Sequence, residues 1–240
     1  MAKYRRNLPQ ASGGVFLSYV GMETDLIFNE GIDLPGFASF PLVESEQGGV
    51  LLRNYYAEQI QLAQKHNLGV MLESPTWMAN RDRGEPLGYS VDRLKAINEA
   101  AMGLIWKVRA DYGDLPTLLS GQVGPRGDAY MPSEQMSIDE AASYHHEQIG
   151  FLEQADADII SAYTICYVDE AVGIVEAAKS LNMPVAIAFT VERDGHLPTG
   201  MPLKDAIELV DTLTDEYPEY YLINCAHPDH FGSALVDGRW

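Results

Sequence analysis

Short apolar runs alternate, between residues 15 and 224, with longer stretches whose apolar residues recur every three or four positions. Few folds accommodate that rhythm. An apolar run followed by an amphipathic helix and another apolar run makes a βαβ unit, and its repetition builds an α/β fold around a parallel sheet. The runs fall at 15–19, 68–72, 117–120, 159–162, 185–190 and 220–224, and the helical stretches at 48–66, 90–112, 139–155, 169–181 and 203–213. The second helical stretch is the clearest. Ser90 is placed to cap it, and Leu94, Ile97, Ala101, Leu104, Ile105 and Val108 form one buried stripe. Ser137 caps the next, with acidic residues in the first turn where the helix dipole favours them. The unbroken run Val185-Ala186-Ile187-Ala188-Phe189 suits a strand covered on both faces.

Six βα units in 240 residues give the expected fold class: α/β, of the (β/α)8 TIM-barrel type, incomplete. Such a barrel closes with eight strands. Residues 1–240 are thus expected to form one barrel domain lacking the last two strands, with an open sheet edge. A homo-oligomer, or a partner chain covering that edge, is the expected assembly.

Charge narrows the partners. Lys and Arg total 16 against 35 for Asp and Glu, a formal charge of −19. That field repels phosphate backbones and anionic lipid surfaces, so no nucleic-acid and no membrane partner is expected. The two cysteines, Cys166 and Cys225, form no disulfide framework. Lys3, Arg5 and Arg6 are followed by no apolar signal segment, and no run approaches the roughly 18 apolar residues of a membrane span. A cytoplasmic protein acting on a small molecule is the expectation.

In barrels of this type, the reactive groups sit in the loops after each strand. Those loops carry Gly21 to Asp25, Glu73 to Trp77, Gly121 to Gly127, Tyr163 to Cys166, Val191 to Gly195 and Asn224 to His230. The glycines of Gly121-Gln122-Val123-Gly124-Pro125-Arg126-Gly127 do not make a phosphate loop, because no Lys-Ser/Thr follows. No nucleophile elbow is present either, which sets a hydrolase aside. Glu23, Glu73, Glu192 and Asp194 read first as solvated loop charges, and the His145-His146 pair as an outward-facing part of its helix.

Five of these segments, in order, resemble the homocysteine S-methyltransferase family: GMETDL after the first strand, PTW after the second, SGQVGPRGDAY after the third, FTVERDGHLPTGMPL after the fifth and INCAHP at the sixth. The likeness runs from about Phe16 to Phe231. It implies a barrel with one zinc at its mouth, held by a cysteine after strand six and an adjacent pair after strand eight. That zinc binds the homocysteine sulfur, which takes a methyl group from a sulfonium or ammonium donor. On this resemblance Cys225 is the first zinc cysteine and Asn224 its usual neighbour, while the pair has no counterpart before Trp240. The family's aspartate at strand one falls on Tyr19, and its glutamate after strand four on Tyr163. Gly21, Glu23, Thr24, Thr76 and Trp77 complete the implied substrate-binding set, Trp77 as an aromatic that could face a sulfonium methyl donor.

Two further readings stay open. His227 and His230 could replace the absent thiolates around Cys225, or His227 could simply precede Pro228 in a turn and His230 cap a helix. With one zinc ligand where three are usual, and two tyrosines where carboxylates would hold an ammonium group, the chain could also be a metal-free binding module.

Overall fold

A computed structural model describes residues 2–18, 21–232, 234 and 235. The expected alternation is realised in six strands: β1 (Phe16–Ser18), β2 (Gly69–Glu73), β3 (Thr117–Val123), β4 (Ile159–Ile165), β5 (Val185–Phe189) and β6 (Tyr220–Ile223). They follow one another in the sheet in chain order. The pairs β1–β2, β2–β3 and β5–β6 are parallel, with Val70 opposite Thr117 and Phe189 opposite Ile223. Eight helices lie among the described residues: α1 (Met22–Phe28), α2 (Glu46–Lys65), α3 (Arg81–Gly84), α4 (Val91–Asp111), α5 (Ile138–Gln154), α6 (Val168–Ser180), α7 (Leu203–Thr214) and α8 (Pro228–Phe231). This is an α/β fold of the TIM-barrel type, with six strand-helix units. No helix of the described residues is long and apolar enough to cross a membrane.

Every residue of β2, β3, β4 and β5 is buried, whereas β1 and β6, at the sheet's two edges, are half-buried. Inner strands of a parallel sheet are covered on both faces, which is why they tolerate so few charges. Two of them run further than their apolar residues suggest. The sequence places the ends of β3 and β4 at Ser120 and Ala162, because Gly-Gln and Tyr-Thr read as loop. Both strands continue three residues beyond, since the polar groups find partners within the sheet. The Gln122 N–H donates to Ser74 Oγ at 3.0 Å, and Thr76 Oγ1 donates to the Gln122 carbonyl at 2.7 Å.

The chain divides into two compact units, Met1–Val123 with Gly150–Ile160, and Gly124–Ile149 with Ser161–Trp240. In the first, α4 forms as its spacing predicts. Ser90 Oγ accepts from the Arg93 N–H at 3.3 Å, and Leu94, Ile97, Ala101, Leu104, Ile105 and Val108 are buried. Its polar centre is Asp158, fully buried. One carboxylate oxygen accepts the Lys3 and Tyr4 N–H groups at 2.6 and 2.8 Å. The other accepts the Leu119 N–H at 3.0 Å and Arg109 Nη1 at 2.7 Å. A buried carboxylate so completely partnered holds three chain segments to one point.

In the second unit α5 starts with a capping box. The Glu140 N–H donates to Ser137 Oγ at 3.4 Å, while the Glu140 carboxylate accepts from the Ser137 N–H at 2.8 Å. Helices α5 and α6 meet at Gly173, where a β-carbon would overlap Ala141. Phe189 of β5 stacks on Tyr221 of β6, with ring centroids 6.3 Å apart and planes 6° from parallel. His145 does not face outward as its sequence context suggests. It is buried, with Nε2 3.0 Å from Glu170 Oε1 on α6, and that oxygen also accepts the Arg126 N–H at 2.8 Å. The pairing satisfies one atom of each side chain, while His145 Nδ1 and Glu170 Oε2 find no hydrogen-bond partner among the described residues. The pair holds the start of the β3–α5 loop, and Tyr167, whose hydroxyl accepts the Met136 N–H at 3.1 Å, holds its end.

Candidate functional site

The ends of β4, β5 and β6 are tied together within the second unit. The Thr190 N–H donates to the Ile165 carbonyl at 3.0 Å, and the Asn224 N–H donates to the Phe189 carbonyl at 3.1 Å. Asn224 then bonds Thr164 twice. The Thr164 N–H donates to Asn224 Oδ1 at 2.9 Å, and Asn224 Nδ2 donates back to Thr164 Oγ1 at 2.9 Å. Both groups also reach the sulfur of Cys225, Asn224 Nδ2 at 3.3 Å and Thr164 Oγ1 at 3.6 Å.

Cys225 is exposed, and its backbone is left-handed at φ 51°. Thr164 is left-handed too, at φ 65°, although it is β-branched and buried. Left-handed backbone at a β-branched residue is a genuine outlier, and such strain, about 1–3 kcal/mol per residue, collects at functional sites. Here two strained residues touch. Tyr130 of the β3–α5 loop is electrostatically coupled to the same sulfur. Burial raises the phenol's pKa first, and the neighbouring sulfur and Asp128 add to it. The hydroxyl therefore stays protonated. Two donors thus face one soft acceptor atom.

Cys166 is the opposite kind of cysteine. It is buried, its sulfur lies 3.9 Å from the Asp128 carbonyl, and burial together with the charges of Glu170 and Asp128 pushes its thiol up to about 12. A thiol so held is inert packing.

The family model for homocysteine S-methyltransferase matches residues 51–237, a span that contains Thr164, Asn224 and Cys225. The chain belongs to the homocysteine S-methyltransferase family. Betaine–homocysteine S-methyltransferase 1 of Rattus norvegicus is 29% identical over 143 residues, covering 58% of this chain and 34% of that protein. The matched part is thus about a third of the relative's length. Among solved structures, the homocysteine methyltransferase MmuM from Escherichia coli is similar in its metallated form (TM-score 0.72, 21% identity, 92% of this chain and 77% of that one). Its oxidized form is similar too (TM-score 0.74, 21% identity, 93% and 77%). At that identity the likeness is one of fold.

The residues predicted from sequence are distributed over both units. Tyr19 lies outside the described residues. Gly21, at φ 105°, is the N-cap of α1, in a conformation that glycine adopts without strain. Thr24 beside it is exposed. Glu23 and Glu73 are buried, not solvated as first read, whereas Glu192 and Asp194 are exposed as expected. Glu23 accepts from Ser39 Oγ at 2.5 Å, and burial nevertheless raises its pKa. Thr76 is buried in the hydrogen bonds that extend β3. Trp77 packs against Ala38, Phe40 and Met78 and meets the Phe37 ring edge-on at 6.3 Å. Tyr163 is a buried residue of β4 itself.

His227 caps α8: its Nδ1 accepts the Asp229 N–H at 3.2 Å. His230 lies in that helix's last turn, with the two imidazole centroids 6.1 Å apart. Among the described residues no group of three or more His, Cys, Asp or Glu could hold a metal ion. Cys225 therefore does not combine with His227 and His230 into a ligand set. Its sulfur faces an amide and a hydroxyl, which donate hydrogen bonds, where a catalytic zinc needs three lone-pair ligands. The described residues do not fit zinc.

Sequence reasoning missed Thr164 as a contact and Tyr130 altogether. Tyr130 closes the SGQVGPRGDAY segment, so motif order pointed to it. Nothing local marks a left-handed threonine inside a strand.

Proposed function

We propose that this chain is a homocysteine S-methyltransferase-like protein, a single barrel domain moving a methyl group from a sulfonium or ammonium donor to a thiol acceptor such as homocysteine. The observation that carries this reading is the Thr164–Asn224–Cys225 constellation, inside the family-matched span, with an exposed Cys225 and left-handed backbone at both Thr164 and Cys225. In the reaction the acceptor thiol releases its proton to solvent, and its sulfur attacks the methyl carbon. The new S–C bond forms as the donor's S–C or N–C bond breaks. The electron pair stays on the donor, which leaves as a neutral thioether or tertiary amine.

Asn224 and Thr164 supply donors that hold an electron-rich sulfur in place at the mouth of β4 and β6. Gly21, Glu23, Thr24, Thr76 and Trp77 in one unit, and Tyr163 and Asn224 in the other, with Tyr19, remain our substrate-binding candidates. Glu23 takes the role of an ammonium-binding carboxylate. Zinc enters only if ligands beyond the described residues join Cys225. The half-buried edge strands β1 and β6 support association with a second copy or a partner chain, and the two free cysteines support a cytoplasmic setting.

The rival reading is a metal-free small-molecule binding module, favoured by the ligand-poor surroundings of Cys225. One assay separates the two. The chain is incubated with homocysteine and S-methylmethionine, with and without added zinc, and methionine is followed. Methionine formation lost in Cys225→Ala is the expected result. Binding of either compound without turnover favours the module, and turnover unaffected by Cys225→Ala overturns the role of this site.

A further inference from the structure

Helix α4 buries one side as its spacing predicts, but its outer side carries two features that the chain's own packing does not explain. Trp106 is 46% exposed there. Three residues before it stands Gly103, of the poorest helix-forming type after proline. A glycine inside a helix is kept where a side chain would clash, as at Gly173, whose β-carbon would overlap Ala141. A β-carbon at Gly103 would meet nothing within 4 Å among the described residues. The helix is weakened beside its exposed indole for no reason internal to the chain.

The residues around Gly103 supply a reason. Counted outward from it, Glu99 on one side matches Lys107 on the other, and Lys95 matches Asp111. Ala96 likewise matches Ala110, and Ala100 matches Trp106. At about 100° per residue all of them lie within roughly 80° of Gly103, on one face. That face is open to solvent, and even Lys95, the least exposed of the charges, keeps a side chain 44% exposed. Lys95 Nζ lies 3.9 Å from Glu99 Oε1, a long surface contact worth little, so both charges stay available.

With two copies of α4 laid antiparallel about a two-fold axis through Gly103, residues equally far from Gly103 come level with each other. Glu99 then meets the second copy's Lys107, and Lys95 the second copy's Asp111, so opposite charges face each other four times. Each Trp106 reaches across to the second copy's Ala100. The two glycines meet on the axis and let the backbones approach to the short end of the ~8–10 Å of packed helices. A parallel pair would set every charge level with its own kind, which excludes that orientation.

We propose that the outer face of α4 is the contact of a reversible homodimer, two antiparallel copies meeting at Gly103 with Trp106 as the anchor of each. The charge order fits itself, which is why the occupant is a second copy of this chain. From Lys95 to Asp111 the seam is about 24 Å long at 1.5 Å per residue. One helix pair of that length stays below the ~1,200 Å² of stable complexes, so the dimer is weak and concentration-dependent. It uses neither edge strand and does not depend on the transferase reading.

The test is sedimentation velocity of the full chain from about 1 μM to about 1 mM, a range that spans weak association. Monomer at the low end and dimer at the high end is the expected result. Lys107→Glu sets like charges level at two places and should weaken the dimer about tenfold or more, as should Glu99→Lys. Combining the two exchanges the charges and should restore most of the affinity, which no effect on the monomer's folding would do. Trp106→Ala should cost about tenfold or more. Gly103→Ala should move two readouts in opposite directions. It should raise the Tm of the dilute monomer by about 2–4 °C, because alanine favours the helix, and it should weaken the dimer. A chain that is monomeric throughout overturns the proposal. So does a dimer that none of these substitutions weakens, which would assign association to the strand edges. A double charge exchange that fails to recover what the single ones lose overturns it as well.

Discussion

Asp158 and Cys225 mark two regions built on opposite terms. Asp158 is fully buried, and its carboxylate takes three backbone N–H groups and a guanidinium. Cys225 is exposed, left-handed, and touches a second left-handed residue, Thr164. In the first region every polar group that burial strips of water is repaid by a partner. The second keeps a strained geometry that the surrounding strand ends enforce. A fold that merely needed a turn after β6 would have glycine or asparagine at position 225. The difference separates a structural hub from a place where stability is given up for the position of a sulfur atom.

The comparison breaks most visibly at the hub. Asp158→Ala leaves Arg109 and three N–H groups without their acceptor in a buried place. Removing one partner of such a set destabilises by about 3–5 kcal/mol. Urea unfolding followed by circular dichroism should show that loss, with Asp158→Asn less affected because it keeps an acceptor oxygen. A loss under about 1 kcal/mol would put Asp158 among ordinary surface changes and remove the contrast.

At the strained pole the expected effect is smaller and of opposite sign. Cys225→Gly and Cys225→Ala both delete the sulfur, but only glycine relieves the left-handed backbone. The glycine variant should therefore be more stable than the alanine variant by about 1 kcal/mol, seen as a higher Tm, while both lose turnover. Equal melting temperatures would mean that the backbone at Cys225 carries no strain.

How much of this was legible in the sequence follows from the range of the forces involved. The Ser90 cap and the Leu94–Val108 stripe are local, so helix α4 could be read almost to the residue. The order of motifs put Asn224 and Cys225 just after the sixth strand, and β6 ends at Ile223. The last residues of β3 and β4 could not be read, because their polar groups are satisfied by Ser74 and Asn224, 48 and 60 positions away. For the same reason His145 read as a surface residue: its partner Glu170 lies on another helix. Nor does anything in the neighbourhood of Thr164 announce a positive φ. Local patterns yielded the scaffold, and the long-range contacts that define the site had to be seen in three dimensions.

Glu23 falls between the two poles, and its titration says to which it belongs. Like Asp158 it is buried, but the hydrogen bond from Ser39 Oγ does not offset desolvation, so its pKa is raised above the ordinary carboxylate value. An acid whose pKa is raised on folding binds its proton more tightly in the folded chain than in the unfolded one. Between the ordinary carboxylate range and the raised value the folded state therefore holds more protons, and stability falls as pH climbs through that window. Glu23→Gln keeps the oxygen that accepts from Ser39 and cannot ionise. It should match the wild type at pH values below the ordinary carboxylate range and become progressively the more stable of the two towards neutrality, the smallest of these effects, read from urea midpoints across pH. Parallel curves would show that Glu23 is as well compensated as Asp158 and purely structural. A gain in stability with a raised KM for the amino-acid acceptor would instead join it to Cys225, as a group kept charged in a buried place because a substrate's ammonium needs it there.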